Sequence, residues 1–241
     1  MTLSALIFDV DGTLAETEEL HRQAFNETFA EAGMDWHWSQ ELYGRLLKTT
    51  GGKERMHAYH HSHKPTWPVI TREQIAELHR VKTLRYGELL DGGGLELRPG
   101  IAPLIEQARQ DGIRLAIATT TSRANVDALC RACWGSEPER IFEVIAAGDE
   151  VPNKKPAPDV YLLALARLGL TANECIAIED SRNGVFSAIE AGLRVHVIPS
   201  TYTAGEQFGD SAIIWQSIPT LEEIAQADQN CHGRRHANAM R

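Results

Sequence analysis

Short apolar or β-branched runs alternate with amphipathic helical stretches along most of this chain, and that rhythm admits few folds. The runs are Ala5–Phe8, Leu115–Ala118, Val144–Ala147, Cys175–Ile178 and Val195–Ile198. Helical patterns lie between the later ones at Ile101–Gln110, Arg123–Cys133, Asp159–Leu168 and Asn183–Ala191, several closed by a glycine (Gly112, Gly169, Gly192). Strand–helix repeats of this kind build a parallel sheet flanked by helices. The expected fold class is therefore α/β, a doubly wound parallel sheet.

The rhythm breaks once. Between Glu16 and Gly92 no convincing strand is found, and helices are expected at Leu20–Ala32, Ser39–Leu47, Lys53–His61 and Thr71–Leu89. The last opens on a capping box formed by Thr71 and Gln74. This stretch, residues 16–92, reads as a helical cap inserted into an α/β core made of residues 1–15 and 93–228. Gly92-Gly93-Gly94 and Pro99-Gly100 mark the return to the core, and a second capping box, Thr220 with Glu223, opens a closing helix. The polar, aperiodic residues 229–241 are expected to be disordered and functionally silent.

Composition narrows the partners. The 241 residues carry 24 Lys+Arg against 33 Asp+Glu, a net charge of −9, which opposes binding to duplex nucleic acid but leaves room for a local site for a small anion. No long apolar run or signal-like N-terminus is present, so a cytoplasmic protein with no membrane contact is expected. Four cysteines, Cys130, Cys133, Cys175 and Cys231, are too few for a disulfide scaffold and fit a reducing compartment. Cys130 and Cys133 form a C-x-x-C, but late in a helix, where a thiolate gains nothing from the dipole. His57, His60, His61 and His63 lack Cys or carboxylate partners at a metal-site spacing and read as a solvated helix end.

In open α/β sheets ligands bind beyond the carboxyl ends of the strands. Four such ends carry suitable groups. The first strand leads into Asp9-Val10-Asp11-Gly12-Thr13, two carboxylates one residue apart before a glycine that permits a tight turn. Two neighbouring anions call for a hard, oxygen-seeking cation, and Mg²⁺ prefers one or two carboxylates plus water and phosphate. The second strand ends in Thr119-Thr120-Thr121-Ser122, whose hydroxyls and backbone N–H groups at a helix start suit phosphate oxygens. Lys154-Lys155-Pro156 after the third brings ammonium charge, and Glu179-Asp180 after the fourth adds a further acidic pair. Each cluster alone is an ordinary turn or cap. Their order at successive strand ends makes them an anion site built around a cation.

These clusters resemble the four motifs of the haloacid-dehalogenase superfamily: DVDGT at Asp9–Thr13, Thr119, Lys155 in KKPAPD, and EDS at Glu179–Ser181. The resemblance spans core and cap, from about Leu3 to Thr220, and implies a Rossmann-like core with an α-helical cap. It implies that Asp9 is the nucleophile that becomes an aspartyl-phosphate and that Asp11 is the general acid/base. Thr119 and Lys155 would hold phosphoryl oxygens. Mg²⁺ would be bound by Asp9, the backbone carbonyl of Asp11 and Asp180, with Glu179 a ligand or just behind. On this reading Asp11 needs a raised pKa, supplied by proximity to Asp9. Dehalogenases of the superfamily lack the second aspartate, so Asp11 argues against that activity.

The cap resembles those of β-phosphoglucomutase and of phosphoglycolate-type phosphatases, which leaves phosphatase and sugar phosphomutase as alternatives. Thr13 favours the phosphatase, because sugar phosphomutases of this type usually carry an aliphatic residue there. In the cap, Lys48-Thr49-Thr50-Gly51-Gly52-Lys53-Glu54-Arg55 places hydroxyls, two glycines and basic side chains at a helix start, a second place for an anion, or else a flexible interhelical turn. Glu18 is expected to bind sugar hydroxyls, with Tyr43 and Arg85 reaching the same cleft. The Gly-Gly-Lys segment and the Thr119-Thr120-Thr121-Ser122-Arg123 run resemble CbbY-type phosphatases, which remove xylulose 1,5-bisphosphate, an inhibitory by-product of Rubisco. The implied partner is a phosphorylated sugar, and a monomer is favoured. A phospho-accepting receiver domain also sets acids, a hydroxyl and a Lys at strand ends, but its acceptor would follow the third strand, where only Asp149 is available, and it has no place for a cap.

Overall fold

A strand buried on both faces must be apolar at every position, and four of the first five strands here are almost without polar residues. In a computed structural model, which describes residues 3–63 and 69–228, they assemble into one six-stranded sheet in the order β3-β2-β1-β4-β5-β6, every pair parallel. The strands are β1 (Ala5–Phe8), β2 (Arg114–Ala118), β3 (Val144–Ala146), β4 (Cys175–Glu179), β5 (Arg194–Val197) and β6 (Ala212–Ile214). The first five match the sequence reading to within a residue at each end. β6 is an addition to it: three half-exposed edge residues carry too little pattern to announce a strand.

Alternation along each strand divides the core into two layers. Leu6, Phe8, Ile117, Ile176 and Ile178 face α5 (Ile101–Gln110) and α6 (Arg123–Trp134). Ala5, Ile7, Ala116, Ala177 and Val195 face α7 (Asp159–Leu168) and α8 (Arg182–Glu190). The closing helical segment 221–228 packs Leu221 and Ile224 on the first layer, and Thr220 and Glu223 form the expected reciprocal cap. The expectation for residues 229–241 lies outside the described residues.

The inserted stretch is helical in its described residues: α1 (Glu18–Glu31), α2 (Gln40–Leu46), α3 (Gly52–His63) and α4 (Arg72–Asp91). Ser39 caps α2, and the Thr71/Gln74 box opens α4. The cap has its own aromatic core of Phe25, Phe29, Trp36, Trp38, Tyr43 and Tyr59 around Met56. Two chain crossings join it to the sheet, and they pair with each other as an antiparallel bridge between Ala15 and Leu97. Next to that bridge Arg98 donates to the carbonyls of Gly12, Ile198 and Pro199 at 2.5, 2.9 and 2.9 Å. The cap hinge is thereby fastened to the loops after β1 and β5.

The histidines need a correction. His57, His61 and His63 are exposed as expected, but His60 is buried and stacks on Trp36, because it falls on the apolar face of α3. Cys130 is buried as well, and burial pushes its thiol up to about 12, so it holds almost no thiolate at neutral pH.

Candidate active site

The loop after β1 turns at Gly12, whose φ of +84° lies in the left-handed region. A Cβ there would stand 2.2 Å from Asp180 Oδ2, so the turn tolerates no side chain at this position. This close approach sets the loop after β1 against the loop after β4, and Asp9 comes beside Asp180 and Glu179. One carboxylate oxygen from each lies within 4.8 Å of those of the other two, and all three residues are buried. The ammonium of Lys155 answers them, with Nζ 2.7 Å from Asp9 Oδ1 and 2.7 Å from Glu179 Oε1.

Electrostatics follow from that arrangement. Burial pushes Asp9 up to about 7, with Lys155 opposing and Glu179 and Asp11 adding to the rise. Burial, with Asp9 and Glu179 as neighbours, holds Asp180 well above the usual carboxylate range. Burial works against the Lys155 ammonium, but Asp9 and Glu179 outweigh it and raise its pKa. Three buried acids against one ammonium leave an excess of negative charge that a divalent cation would relieve, and an all-oxygen donor set suits a hard ion. Asp9 and Asp180 have the free lone pairs for it. Glu179 does not. Its Oε1 accepts from Lys155 and from Tyr161 (2.6 Å), and its Oε2 from the Asp180 N–H (3.2 Å) and the Ser181 hydroxyl (3.5 Å). Glu179 thereby supports Lys155, and one of its oxygens also lies within 4.8 Å of the oxygens that Asp9 and Asp180 offer to a metal.

Asp11 is the main surprise. Its carboxylate is absent from the acidic cluster and turns to the start of the cap, accepting from the Thr17 hydroxyl at 2.6 Å and lying 3.0 Å from His21 Nε2. Burial favours the neutral acid, but the hydrogen bonds from His21 and the Thr17 hydroxyl, with the positive charge carried by the His21–Lys82 pair, hold Asp11 well below the usual range. The expectation of a raised pKa is thus overturned. It counted only the repulsion from Asp9 and missed two donors, Thr17 at the cap entry and His21 on α1, and the charge of Lys82 on α4. Lys82 Nζ lies 2.6 Å from His21 Nδ1 and above the rings of Phe25 and Tyr86, while Tyr86 stacks on His21. Burial, with Lys82, keeps His21 below its ordinary pKa, so the imidazole is neutral, accepts from Lys82 at Nδ1 and presents Nε2–H to Asp11. Burial pushes Lys82 itself down to about 7, against Asp11 and Glu18.

The remaining walls come from strand ends and cap. Thr119, buried, accepts from the Thr121 N–H; Asn125 Nδ2 donates to the Thr121 hydroxyl, and Ser122 caps α6. Thr119, Thr120 and Thr121 all face the cavity, as do Glu18, Thr50, Gly51, Gly52 and Lys53 from the cap. The cap is drawn onto the core by the Thr50 hydroxyl, which donates to the Lys155 carbonyl, by Asn183 Nδ2 on the Lys48 carbonyl (3.2 Å) and by Lys53 with Asp149 (3.4 Å).

Three expected residues sit elsewhere. Lys48 does not line the cavity, and its backbone carbonyl is the part that meets the core. Tyr43 is fully buried in the cap core, but its hydroxyl donates to Glu18 (2.7 Å) and accepts from Arg55 (3.0 Å), so it positions two residues that do line the cavity. Arg85 faces outward among Glu27, Glu31 and Glu88, because on α4 it falls away from the face that carries Lys82 and Tyr86. Sequence reasoning missed Thr17, His21, His79, Lys82 and Tyr161 as site residues, and included Arg55 only as part of the basic segment Lys48–Arg55. The spacing of His79, Lys82 and Tyr86 on one helical stripe was the available signal, and it reads equally as amphipathic surface.

Residues 3–192 match the haloacid dehalogenase-like hydrolase family. The chain is 59% identical over 225 residues to protein CbbY of Rhodobacter capsulatus, covering 93% of this chain and 96% of that one. Crystal structures of CbbY from Rhodobacter sphaeroides, one with phosphate and one of a variant with xylulose-(1,5)bisphosphate, superpose with a TM-score of 0.86 at 52% identity over 90% of this chain and 95% of theirs. A β-phosphoglucomutase from Clostridium difficile shares the fold, with a TM-score of 0.75 at 20% identity over 93% of this chain and 96% of that one.

Proposed function

The chain belongs to the haloacid dehalogenase-like hydrolase family and is a phosphatase, and we propose that it hydrolyses a sugar bisphosphate, xylulose 1,5-bisphosphate, through an aspartyl-phosphate with Mg²⁺ bound by Asp9, Asp180 and the Asp11 backbone carbonyl. What carries the reading is the contrast between the two aspartates of the first loop: Asp9 stands against Lys155 and Asp180, and Asp11 against Thr17 and His21. Two carboxylates in unlike environments are how one site separates nucleophile from acid/base.

Bound Mg²⁺ supplies charge neutralisation for a carboxylate meeting a phosphate dianion. This chain's own residues do the rest. Lys155 and the Thr119 hydroxyl hold phosphoryl oxygens, with Glu179 and Tyr161 fixing Lys155. Asp9 attacks phosphorus and the bond to the leaving oxygen breaks. Asp11 gives that oxygen a proton, then takes one from the water that attacks the aspartyl-phosphate, so Asp9 is restored and phosphate leaves. The low pKa of Asp11 without substrate is consistent with this role: an arriving phosphate raises its proton affinity, and the chain Lys82–His21–Asp11 leads a proton to it. At the distal end Lys53 and Arg55, at the start of α3, face the same cavity and suit a second phosphate. Arg55 is nine-tenths buried and its Nε has no hydrogen-bond partner among the described residues, an unsatisfied donor of the kind an anion completes.

Phosphate release from xylulose 1,5-bisphosphate, measured with Mg²⁺ and with excess chelator, tests the reading. Release of one phosphate per sugar with Mg²⁺, lost with chelator and lost in Asp9→Asn, is the expected result. Isomerised sugar phosphate without free phosphate would make the protein a mutase and sink the proposal.

A further inference from the structure

The loop after β5 has no part in the scheme above, yet it touches both the acidic cluster and the cap. Residues 200–203 form a turn, closed by the Thr203 N–H on the Ser200 carbonyl (3.1 Å) and by the Ser200 N–H on the Thr203 hydroxyl (2.8 Å). Both side chains are buried. The one hydroxyl proton of Thr203 leaves the turn. It goes to the Asp180 backbone carbonyl at 2.7 Å, and Thr203 Oγ1 stands 3.3 Å from Asp180 Oδ2. The Ser200 hydroxyl, 3.0 Å from Thr203 Oγ1, bonds to the Asp180 carboxylate. From the other side Gly12 closes on the same pair, since a Cβ there would stand 2.2 Å from Asp180 Oδ2 and 3.0 Å from Ser200 Oγ. Asp180 is thus held at its carbonyl and at its carboxylate, between two loops.

The two residues in between face the cap. Thr201 donates its N–H to Glu16, on the crossing into the cap, at 3.2 and 3.3 Å from its two oxygens, and the Tyr202 hydroxyl donates to Glu19 of α1 at 2.8 Å. The Tyr202 ring stands edge-on to Tyr43, 5.8 Å between centroids, beside Gly44 of α2. Four consecutive residues therefore hold Asp180 with the first and last and the cap with the middle two.

We infer that Thr203 is a positioning residue for the metal ligand Asp180, and that the turn 200–203 joins metal binding to the seating of the cap. The inference rests on the reading of Asp180 as a Mg²⁺ ligand given above. Asp9 and Glu179 repel the Asp180 carboxylate, so its orientation towards them must come from donors behind it. Thr203 fixes the backbone from which that carboxylate projects, and Ser200 its oxygen. The contacts of Thr201 and Tyr202 exist only with the cap against the core, and they belong to the same closed turn. A seated cap therefore steadies the turn and with it Asp180, and by reciprocity a bound metal favours the seated cap.

Mn²⁺, a paramagnetic stand-in for Mg²⁺, is titrated into the substrate-free protein and followed by water-proton relaxation, which reads metal binding without turnover. Thr203→Val should weaken binding about 10- to 100-fold, the loss typical of groups that orient a metal ligand, and Thr203→Ser should keep it near the parent. Tyr202→Phe removes only the bond to Glu19. It should weaken metal binding about fivefold in the parent and not at all when combined with Thr203→Val. Excess Mg²⁺ should recover phosphate release in Thr203→Val, which it would not do for damage elsewhere in the fold. Parent-like Mn²⁺ binding in Thr203→Val overturns the positioning role. A Tyr202→Phe effect that is absent from the parent, or equal in both backgrounds, overturns the link to the cap. Asp180→Asn separates this inference from the reading beneath it: loss of Mn²⁺ there with no change in Thr203→Val sinks the inference alone, whereas unchanged binding in Asp180→Asn sinks both. Thr203→Ala, with a melting curve for each variant, repeats the comparison should the Thr203→Val protein misfold.

Discussion

Gly184 and Gly87 are both interior to helices, and the same substitution should move stability in opposite directions at the two. At Gly87, on α4, a new Cβ meets nothing within 4 Å. Alanine there gains helix propensity of about 0.5–1 kcal/mol, largely by restricting the unfolded chain. At Gly184, on α8, the Cβ would lie 2.0 to 2.1 Å from the carboxylate carbon and both oxygens of Glu179. A flexible side-chain end normally yields cheaply, but Glu179 is fully buried and held by Lys155, Tyr161, the Asp180 N–H and the Ser181 hydroxyl. Overpacking costs about 1–3 kcal/mol, and displacing the carboxylate from one of its charged hydrogen bonds about 1.5–3 more. After the helix gain is set against it, Gly184→Ala should lose roughly 3 kcal/mol. At about 2–4 °C per kcal/mol for a chain of this size, differential scanning calorimetry should show Gly87→Ala raised by about 1–4 °C and Gly184→Ala lowered by roughly 6–12 °C. Phosphatase activity should fall in the second alone, since Glu179 fixes Lys155. Gly184→Ala melting within about a degree of the parent would refute the reasoning, because it would mean that Glu179 is not held as the hydrogen bonds say.

Asp11→Asn should keep the fold and lower kcat about 10²- to 10⁴-fold, the range for a lost general acid/base, with KM little changed; a kcat within about threefold of the parent would remove Asp11 from the chemistry. Lys82 is protonated in the unfolded chain up to about its ordinary 10.5 but in the folded one only to about 7, so the unfolded state binds more protons between these limits and stability rises with pH across them. Lys82→Met should flatten that rise while turnover falls, and parallel melting curves from about pH 7 to 10 would contradict it. Tyr161→Phe leaves Glu179 one donor short and should cost about 1.5–3 kcal/mol in urea unfolding, with Lys155 less well placed and kcat lower; unchanged stability would show that the 2.6 Å contact contributes nothing. Arg55→Met should raise KM for a bisphosphate about 10- to 100-fold, as expected for one charged hydrogen bond, and leave a monophosphate unaffected; equal effects on both would place Arg55 at the wrong end of the cavity.

The sheet was legible because its strands are buried on both faces and must be apolar throughout, and the cap because helical periodicity without strands persists from α1 to α4. The core residues of the site were legible too. Asp9, Thr119 and Asp180 each follow a strand directly and Lys155 follows within one loop, so local sequence places them at the rim. The neighbours of Asp11 were not. Thr17 lies beyond the turn, His21 on α1 and Lys82 on α4, and nothing in their spacing tells that the Ala15–Leu97 hinge folds these two helices over the first loop. Arg85 failed for the same reason: one residue from Tyr86 on a helix is about 100° of rotation, and only packing decides which face looks inward.

The sequence by itself determined which backbone each segment prefers and which residues end the strands, since both depend on neighbours a few positions apart. Only the tertiary structure decided the charge state of each acid. Asp9 and Asp11 are two residues apart in the chain, yet one is raised and the other lowered, because a side chain's proton affinity is set by burial and by charges within a few ångströms in space. Those charges reach the loop from residues as far along the chain as Lys82 and Glu179.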